Sequence, residues 1–262
     1  MRSVALKRHH RAAPVLLLVI LLAAITGVAA VAQTQAAQAT TAEVTASDVE
    51  EGHKLFAANC ATCHGMDAQG QAGVAPSLVG VGAAAVSFQV GTGRMPMQAS
   101  GPQAPSKPVQ FNEEQISQLA AWVATLGPGP SIPTAEMVDP ALGDAAAGMA
   151  YFRTNCAMCH GSVGGGGSLT QGKYAPSLHE TSPQHIYEAM LTGPQSMPVF
   201  NEANISPEAK RDIIAFLVAQ REGTPGGDGL GSIGPVAEGL WGWMVGLGLI
   251  VAITVWIGAR SS

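Results

Sequence analysis

The stretch Gly52-His-Lys-Leu-Phe-Ala-Ala-Asn-Cys60-Ala-Thr-Cys63-His64-Gly65 recurs 96 residues later as Gly148-Met-Ala-Tyr-Phe-Arg-Thr-Asn-Cys156-Ala-Met-Cys159-His160-Gly161. The two copies use all four cysteines of the 262-residue chain. Each holds a C-x-x-C-H, the attachment pattern of a c-type haem. Two thiols one helical turn apart form thioethers with the two haem vinyl groups, and the adjacent His offers a nitrogen to the iron. A zinc site or a thioredoxin-like redox pair also uses C-x-x-C, but neither requires a His directly after the second Cys, and here it follows both times. The pattern predicts two covalently bound haem c groups, held by Cys60, Cys63, Cys156 and Cys159, with His64 and His160 as proximal iron ligands.

Outward from the motifs the repeat continues. Ala75-Pro76-Ser77-Leu78 is matched by Ala175-Pro176-Ser177-Leu178, and Met95-Pro96 by Met197-Pro198. Each half closes on an apolar helical pattern, Glu114–Leu126 and Pro207–Gln220, with Ile116, Leu119, Ala120 and Val123 spaced for one face of the first. Each half therefore runs helix, haem motif, loop, Met-Pro, helix. This order resembles the class I cytochrome c fold, over residues 46–127 and 144–222. The expected fold is all-α: two tandem class I cytochrome c domains, an N-terminal signal or anchor helix over 1–33 and a C-terminal transmembrane helix over 239–259. Linkers are expected at 128–143 and 223–238. Prolines make Gly127–Pro133 semi-rigid.

The resemblance implies a methionine as the distal ligand in each half. Met95 and Met197 precede Pro and lie 31 and 37 residues after His64 and His160. Methionine is a soft neutral ligand, and His/Met ligation raises a haem potential. Met97 is a rival sulfur in the first half, and His179 and His185 are nitrogen alternatives to Met197. Gly164–Gly167 is expected to be a flexible loop beside the haem edge, not a phosphate loop. Gln98–Pro108 reads as an exposed insertion in the first domain and a contact surface.

Ala12–Ala32 is uncharged and follows Arg2, Lys7, Arg8 and Arg11. It fits both a signal peptide, with Ala30-Val31-Ala32 as the cleavage site, and a retained anchor. Gly239–Ala259 is uncharged, has Trp241 and Trp243 near one end and Trp256 near the other, and is followed by Arg260. That is the pattern of a membrane span. Gly242 and Gly246 let a neighbouring helix approach closely. The positive-inside rule places both basic ends in the cytoplasm and the haem domains outside. All 18 acidic residues lie between Glu43 and Glu238, with only 8 of the 13 basic ones, so this part is near −10. Nucleic-acid binding is excluded on that charge.

Two such domains in tandem with a C-terminal anchor resemble the dihaem cytochrome c subunit of the actinobacterial cytochrome bc complex. The resemblance implies an electron-transfer subunit of a quinol–cytochrome c reductase, lying in the cell membrane beside a cytochrome b subunit. It would take electrons from the Rieske iron–sulfur subunit and deliver them through both haems to the copper centre of an aa-type haem–copper oxidase. The quinol site would belong to cytochrome b, so this chain holds no catalytic acid or base. A freely diffusing dihaem carrier and the cytochrome subunit of another respiratory oxidase are the alternatives.

Overall fold

A computed structural model describes residues 44–99, 101–222 and 235–260. The N-terminal segment 1–33 and most of 223–238 lie outside the described residues. The first domain is built from α1 (Ala46–Asn59), the motif turn α2 (Ala61–His64), α3 (Gly82–Gly91) and α4 (Glu113–Ala124). The second repeats the plan with α6 (Ala145–Asn155), α7 (Ala157–His160), α8 (Pro183–Thr192) and α9 (Pro207–Glu222). Between them lies the short α5 (Ala135–Val138). Among the described residues the all-α expectation holds apart from one two-stranded ribbon, β1 (Gly167–Ser168) against β2 (Tyr174–Ala175).

Caps explain where the helices begin. Thr45 accepts from the Asp48 N–H while the Asp48 carboxylate accepts from the Thr45 N–H, closing a capping box on α1. Asn112 and Gln115 do the same on α4, which starts it at Glu113. Asp144 caps α6, and Ser182 with Pro183 opens α8. Each such cap stabilises its helix by roughly 1 kcal/mol.

In each domain the first helix crosses the last. A Cβ on Gly52 would land on the Gln118 carbonyl, and one on Gly148 on the Asp212 carbonyl. Glycine lets the two backbones meet at each crossing. Beside the crossings, Phe56 packs on Trp122 with centroids 4.3 Å apart, and Phe152 on Phe216 at 5.4 Å. The first core gathers Phe56, Ala61, Val86, Val90, Leu119, Ala120 and Val123. The second gathers Phe152, Ile186, Tyr187, Met190, Ile213, Ile214 and Leu217. Met137 and Val138 of α5 pack against the second core. Upstream, the Ala84 N–H donates to the Pro130 carbonyl at 3.1 Å, tying that stretch to the first domain.

The glycine run departs from expectation. The Gly164 carbonyl accepts from Leu178, the Gly166 N–H donates to the His160 carbonyl, and Gly167 pairs with Ala175. The run is a bonded part of the motif, because its backbone pairs with that of His160, Ala175 and Leu178.

The domains meet where α3 packs on α8. Ser87 accepts from Gln184 Nε2 at 3.2 Å, and the same nitrogen donates to Glu188 at 2.9 Å. The His185 ring stands edge-on to Phe88, whose face carries the Arg94 guanidinium at 4.9 Å. Glu188 is fully buried, and its Oε2 has no hydrogen-bond partner among the described residues. Burial pushes its carboxyl up from 4.5 to about 7, against the pull of Gln184 and Ser87. Burial, reinforced by Arg94, holds His185 below its ordinary value. His185 Nε2 and Glu188 Oε2 are 3.8 Å apart, but both groups are driven toward neutrality, so the contact is not a charged pair near neutral pH.

The pH dependence follows. Below about pH 4.5 Glu188 is protonated in the folded and the unfolded chain. Between 4.5 and about 7 only the unfolded chain releases the proton, so stability falls as pH rises. Above 7 the loss is complete, at roughly 3 kcal/mol. Glu188→Gln is expected to flatten this slope, raising the melting temperature at pH 7.5 while leaving it nearly unchanged at pH 4.5. A parallel shift at both pH values in calorimetry would contradict this.

The C-terminal helix α10 (Pro235–Arg260) is 26 residues long, about 39 Å at 1.5 Å per residue. Its stretch Gly239–Arg260 has a mean hydropathy of 2.0 and is long and apolar enough to cross a membrane. The Arg260 guanidinium lies 4.4 Å from the Trp256 ring centroid.

Candidate haem-binding sites

Each C-x-x-C-H forms one tight helical turn. The His64 N–H donates to the Cys60 carbonyl at 3.0 Å, and the His160 N–H to the Cys156 carbonyl at 2.9 Å. Both imidazoles are buried. His64 Nδ1 lies 2.9 Å from the Pro76 carbonyl, and His160 Nδ1 lies 3.0 Å from the Pro176 carbonyl. A carbonyl can only accept, so Nδ1 carries the proton and Nε2 keeps its lone pair. Burial lowers the pKa of His160, which favours that neutral form. A neutral imidazole with a fixed ring and a free Nε2 is what an iron ligand requires.

The accepting carbonyls are held by a second repeated device. The Gly70 N–H donates to the His64 carbonyl and the Gly166 N–H to the His160 carbonyl, both at 2.8 Å. The two glycines have φ of +79° and +86°, and a Cβ on either would run into the Ala-Pro-Ser backbone that carries the accepting carbonyl. Sequence reasoning saw the repeated Ala-Pro-Ser-Leu but gave it no task. A Pro recurring downstream of both motifs was the available signal.

The thiols are placed differently. Cys156 is buried, Cys60 and Cys159 are half-buried, and Cys63 is exposed. Burial pushes the Cys60 and Cys156 thiols up to about 11 each, with Cys63 and Cys159 adding to the shift. Cys60 packs against the first core and Cys156 lies in the second, so the two motifs belong to separate sites and do not converge on one ion.

The structure brings both Met-Pro methionines to their cores, although the second core also holds Met190, Met137 and Met149. Met95 packs against the first, with its N–H on the Gln89 carbonyl at 2.9 Å, and Met197 against the second. Of the Met95/Met97 pair, Met95 is the one packed there. The nitrogen alternatives are engaged elsewhere. His179 Nε2 bonds the Val163 carbonyl at 2.9 Å, and His185 stands in the interdomain seam. Each motif turn carries two cysteines and an imidazole with a free Nε2, and a Met-Pro thioether packs against the same core as the first of those cysteines. This donor set fits a haem c.

Comparison with known proteins agrees. Residues 49–127 match the cytochrome c family model, and residues 143–217 the model for cytochrome c oxidase, cbb3-type, subunit III. The chain is 44% identical over 230 residues to the cytochrome bc1 complex cytochrome c subunit of Corynebacterium efficiens, covering 81% of this chain and 77% of that one. It is 44% identical over 252 residues to the subunit of the same name from Mycobacterium tuberculosis H37Rv, covering 93% and 90%. Cytochrome c-554(547) of Halothiobacillus neapolitanus matches at 33% over 92 residues, which is 31% of this chain and 99% of that one. One short cytochrome thus covers about a third of the chain, while the bc1 subunits run through both domains. With both haem-type domains and its near full-length relatives, the chain belongs to the family of cytochrome bc1 complex cytochrome c subunits.

Proposed function

We propose that this chain is the membrane-anchored dihaem electron carrier of a quinol–cytochrome c reductase. It takes electrons from the Rieske iron–sulfur subunit and passes them, by way of two covalently bound haem c groups, to the copper centre of an aa-type oxidase. Residues 46–127 and 144–222 are its two haem domains. Cys60 and Cys63 bind the first haem and Cys156 and Cys159 the second. His64 with Met95, and His160 with Met197, are the axial pairs. The haems supply one-electron redox chemistry, and His/Met ligation sets it at the high-potential end. The protein's own part is to fix ligand geometry and to keep water from the iron. Pro76 and Pro176 hold each imidazole in one tautomer, and the two apolar cores surround the methionines.

The haem domains face the extracytoplasmic side, with Arg260 at the cytoplasmic surface. This rests on the positive-inside rule and on the acidic, exported middle of the chain. Gly239, Gly242 and Gly246 line a groove on α10 with Trp243, Leu247 and Ile250, suited to a helix of the cytochrome b subunit.

The observation that carries the two-haem reading is the duplicated site, with the same imidazole-to-proline-carbonyl bond in both domains. Intact mass and a pyridine haemochrome assay are expected to show two haems that survive acid–acetone extraction. Cys60→Ser with Cys63→Ser should leave one, and so should the same pair of changes at Cys156 and Cys159. One haem in the unaltered chain would refute the reading.

A further inference from the structure

Residues 103–107, inside the stretch expected to be an exposed insertion, do not stand free of the protein. Ala104 is 1% exposed. The segment is fastened to the first domain beside its Met-Pro pair. Ser106 Oγ donates to the Thr92 carbonyl at 2.7 Å, and Lys107 Nζ donates to the Pro96 carbonyl. A Cβ on Gly93 would collide with the Lys107 backbone, so the two strands of chain lie in direct contact.

From that footing the segment reaches into the second domain at two points. Gln103 Nε2 donates to the Tyr174 carbonyl and Gln103 Oε1 accepts from the Tyr174 N–H, both at 2.9 Å. One side-chain amide thus takes both backbone groups of one residue, as a neighbouring strand would. The Ala104 N–H donates to Gln195 Oε1 at 3.2 Å. Gln195 is held at φ +61°, an uncommon conformation for a residue with a Cβ. These contacts fall at telling places. Tyr174 lies two residues before Pro176, whose carbonyl bonds His160. Gln195 lies two residues before Met197. The footing at Thr92 and Pro96 brackets Met95.

We propose that Gln103 is a positioning residue, and that the Gln103–Lys107 strap with Gln195 clasps the two domains so that both haem sites keep one mutual orientation. The clasp complements the α3–α8 seam, where Gln184 bonds Ser87. Two attachments, one helical and one through the strap, stop the rocking that a single contact allows. The inference rests on the two-haem reading, since one orientation means one distance for electron exchange.

The test uses the full-length chain in its purified complex, with Gln103→Leu, Gln103→Glu and Gln195→Ala. Haem content is counted first in the unaltered chain, where fewer than two haems refutes the two-haem reading alone. Hydrogen exchange then decides the clasp whatever the haem count. In Gln103→Leu the Tyr174 amide and the amides of 184–192 are expected to exchange about tenfold faster, the change expected on losing two modest hydrogen bonds. Gln103→Glu keeps the acceptor for the Tyr174 N–H, so its effect should be intermediate. Where both haems are present, pulsed EPR should show a broadened haem–haem dipolar coupling, and flash photoreduction a slower exchange between them, with both potentials unmoved. Unchanged exchange at residues 184–192 in Gln103→Leu overturns the proposal. So does a change that comes with shifted haem potentials, which would locate the disturbance in the haem pockets.

Discussion

Truncation before Gly239 is expected to leave a chain that still carries its haems but no longer supports quinol-driven oxygen consumption. The domains have their own cores and caps, and the segment from Gly239 onward lies outside both cores. Attachment chemistry is therefore untouched. What is lost is confinement to the membrane beside the reductase. Tethering raises the effective concentration of a partner by orders of magnitude, so its removal should lower flux by roughly a hundredfold at dilute carrier. The truncated protein should also be missing from the purified complex. Oxygen uptake by membranes, measured with a quinol donor and compared at equal haem, reads the effect. Full activity from the soluble form would mean that the protein diffuses between its partners, and the anchored-carrier reading would have to be abandoned.

Replacing the distal sulfur gives the second large effect. Met197→His is expected to lower the potential of the second haem by a sizeable fraction of the roughly 0.8 V that axial ligands span. It should also abolish that haem's weak sulfur–iron optical band. Imidazole is the stronger donor to ferric iron, whereas thioether favours the ferrous state, so the sign is fixed. Met95→His should do the same at the first haem. A redox titration resolves the two, because each variant moves one wave and leaves the other. Met97→His is the control, and it should move neither. If it shifts the first wave while Met95→His does not, the ligand is Met97.

How much of this was legible in the sequence depended on whether a feature was local. The C-x-x-C-H turn reads off five consecutive residues, and the matched Gly, Phe and Asn positions announce the duplication. Helix starts were less legible. The α4 pattern was placed at Glu114, and the Asn112/Gln115 capping box starts the helix one residue earlier. The His-to-proline-carbonyl bonds span 12 and 16 residues, and they use backbone oxygens that every residue has. Only the recurring Pro76 and Pro176 marked them, and nothing in those side chains says that their carbonyls accept. The clasp and the seam were beyond reach. Gln103 to Tyr174, Ala104 to Gln195 and Gln184 to Ser87 are 71, 91 and 97 residues apart. They use the side chains of Gln103, Gln195, Gln184 and Ser87, types that are usually solvated, and the backbone groups of Tyr174 and Ala104. The glycine run misled because composition suggests mobility, whereas backbone bonding decides it.

The interdomain seam has a property that follows from the repeat. Helices α3 and α8 hold the same place in their domains, each standing before the Met-Pro pair, and each has ten residues. They pack on one another, so the chain meets itself through like elements, as the halves of an isologous homodimer do. Ser87 and Glu188 are the sixth residues of their helices and lie at this contact. Two separate copies of one domain would be bound to place identical residues there. A Glu opposite a Glu would form a buried acid dyad that shares one proton and titrates in two coupled steps. Fusing both copies into one polypeptide lifts that obligation. One side keeps a hydroxyl and the other a single carboxyl, so no acid faces an acid across the seam.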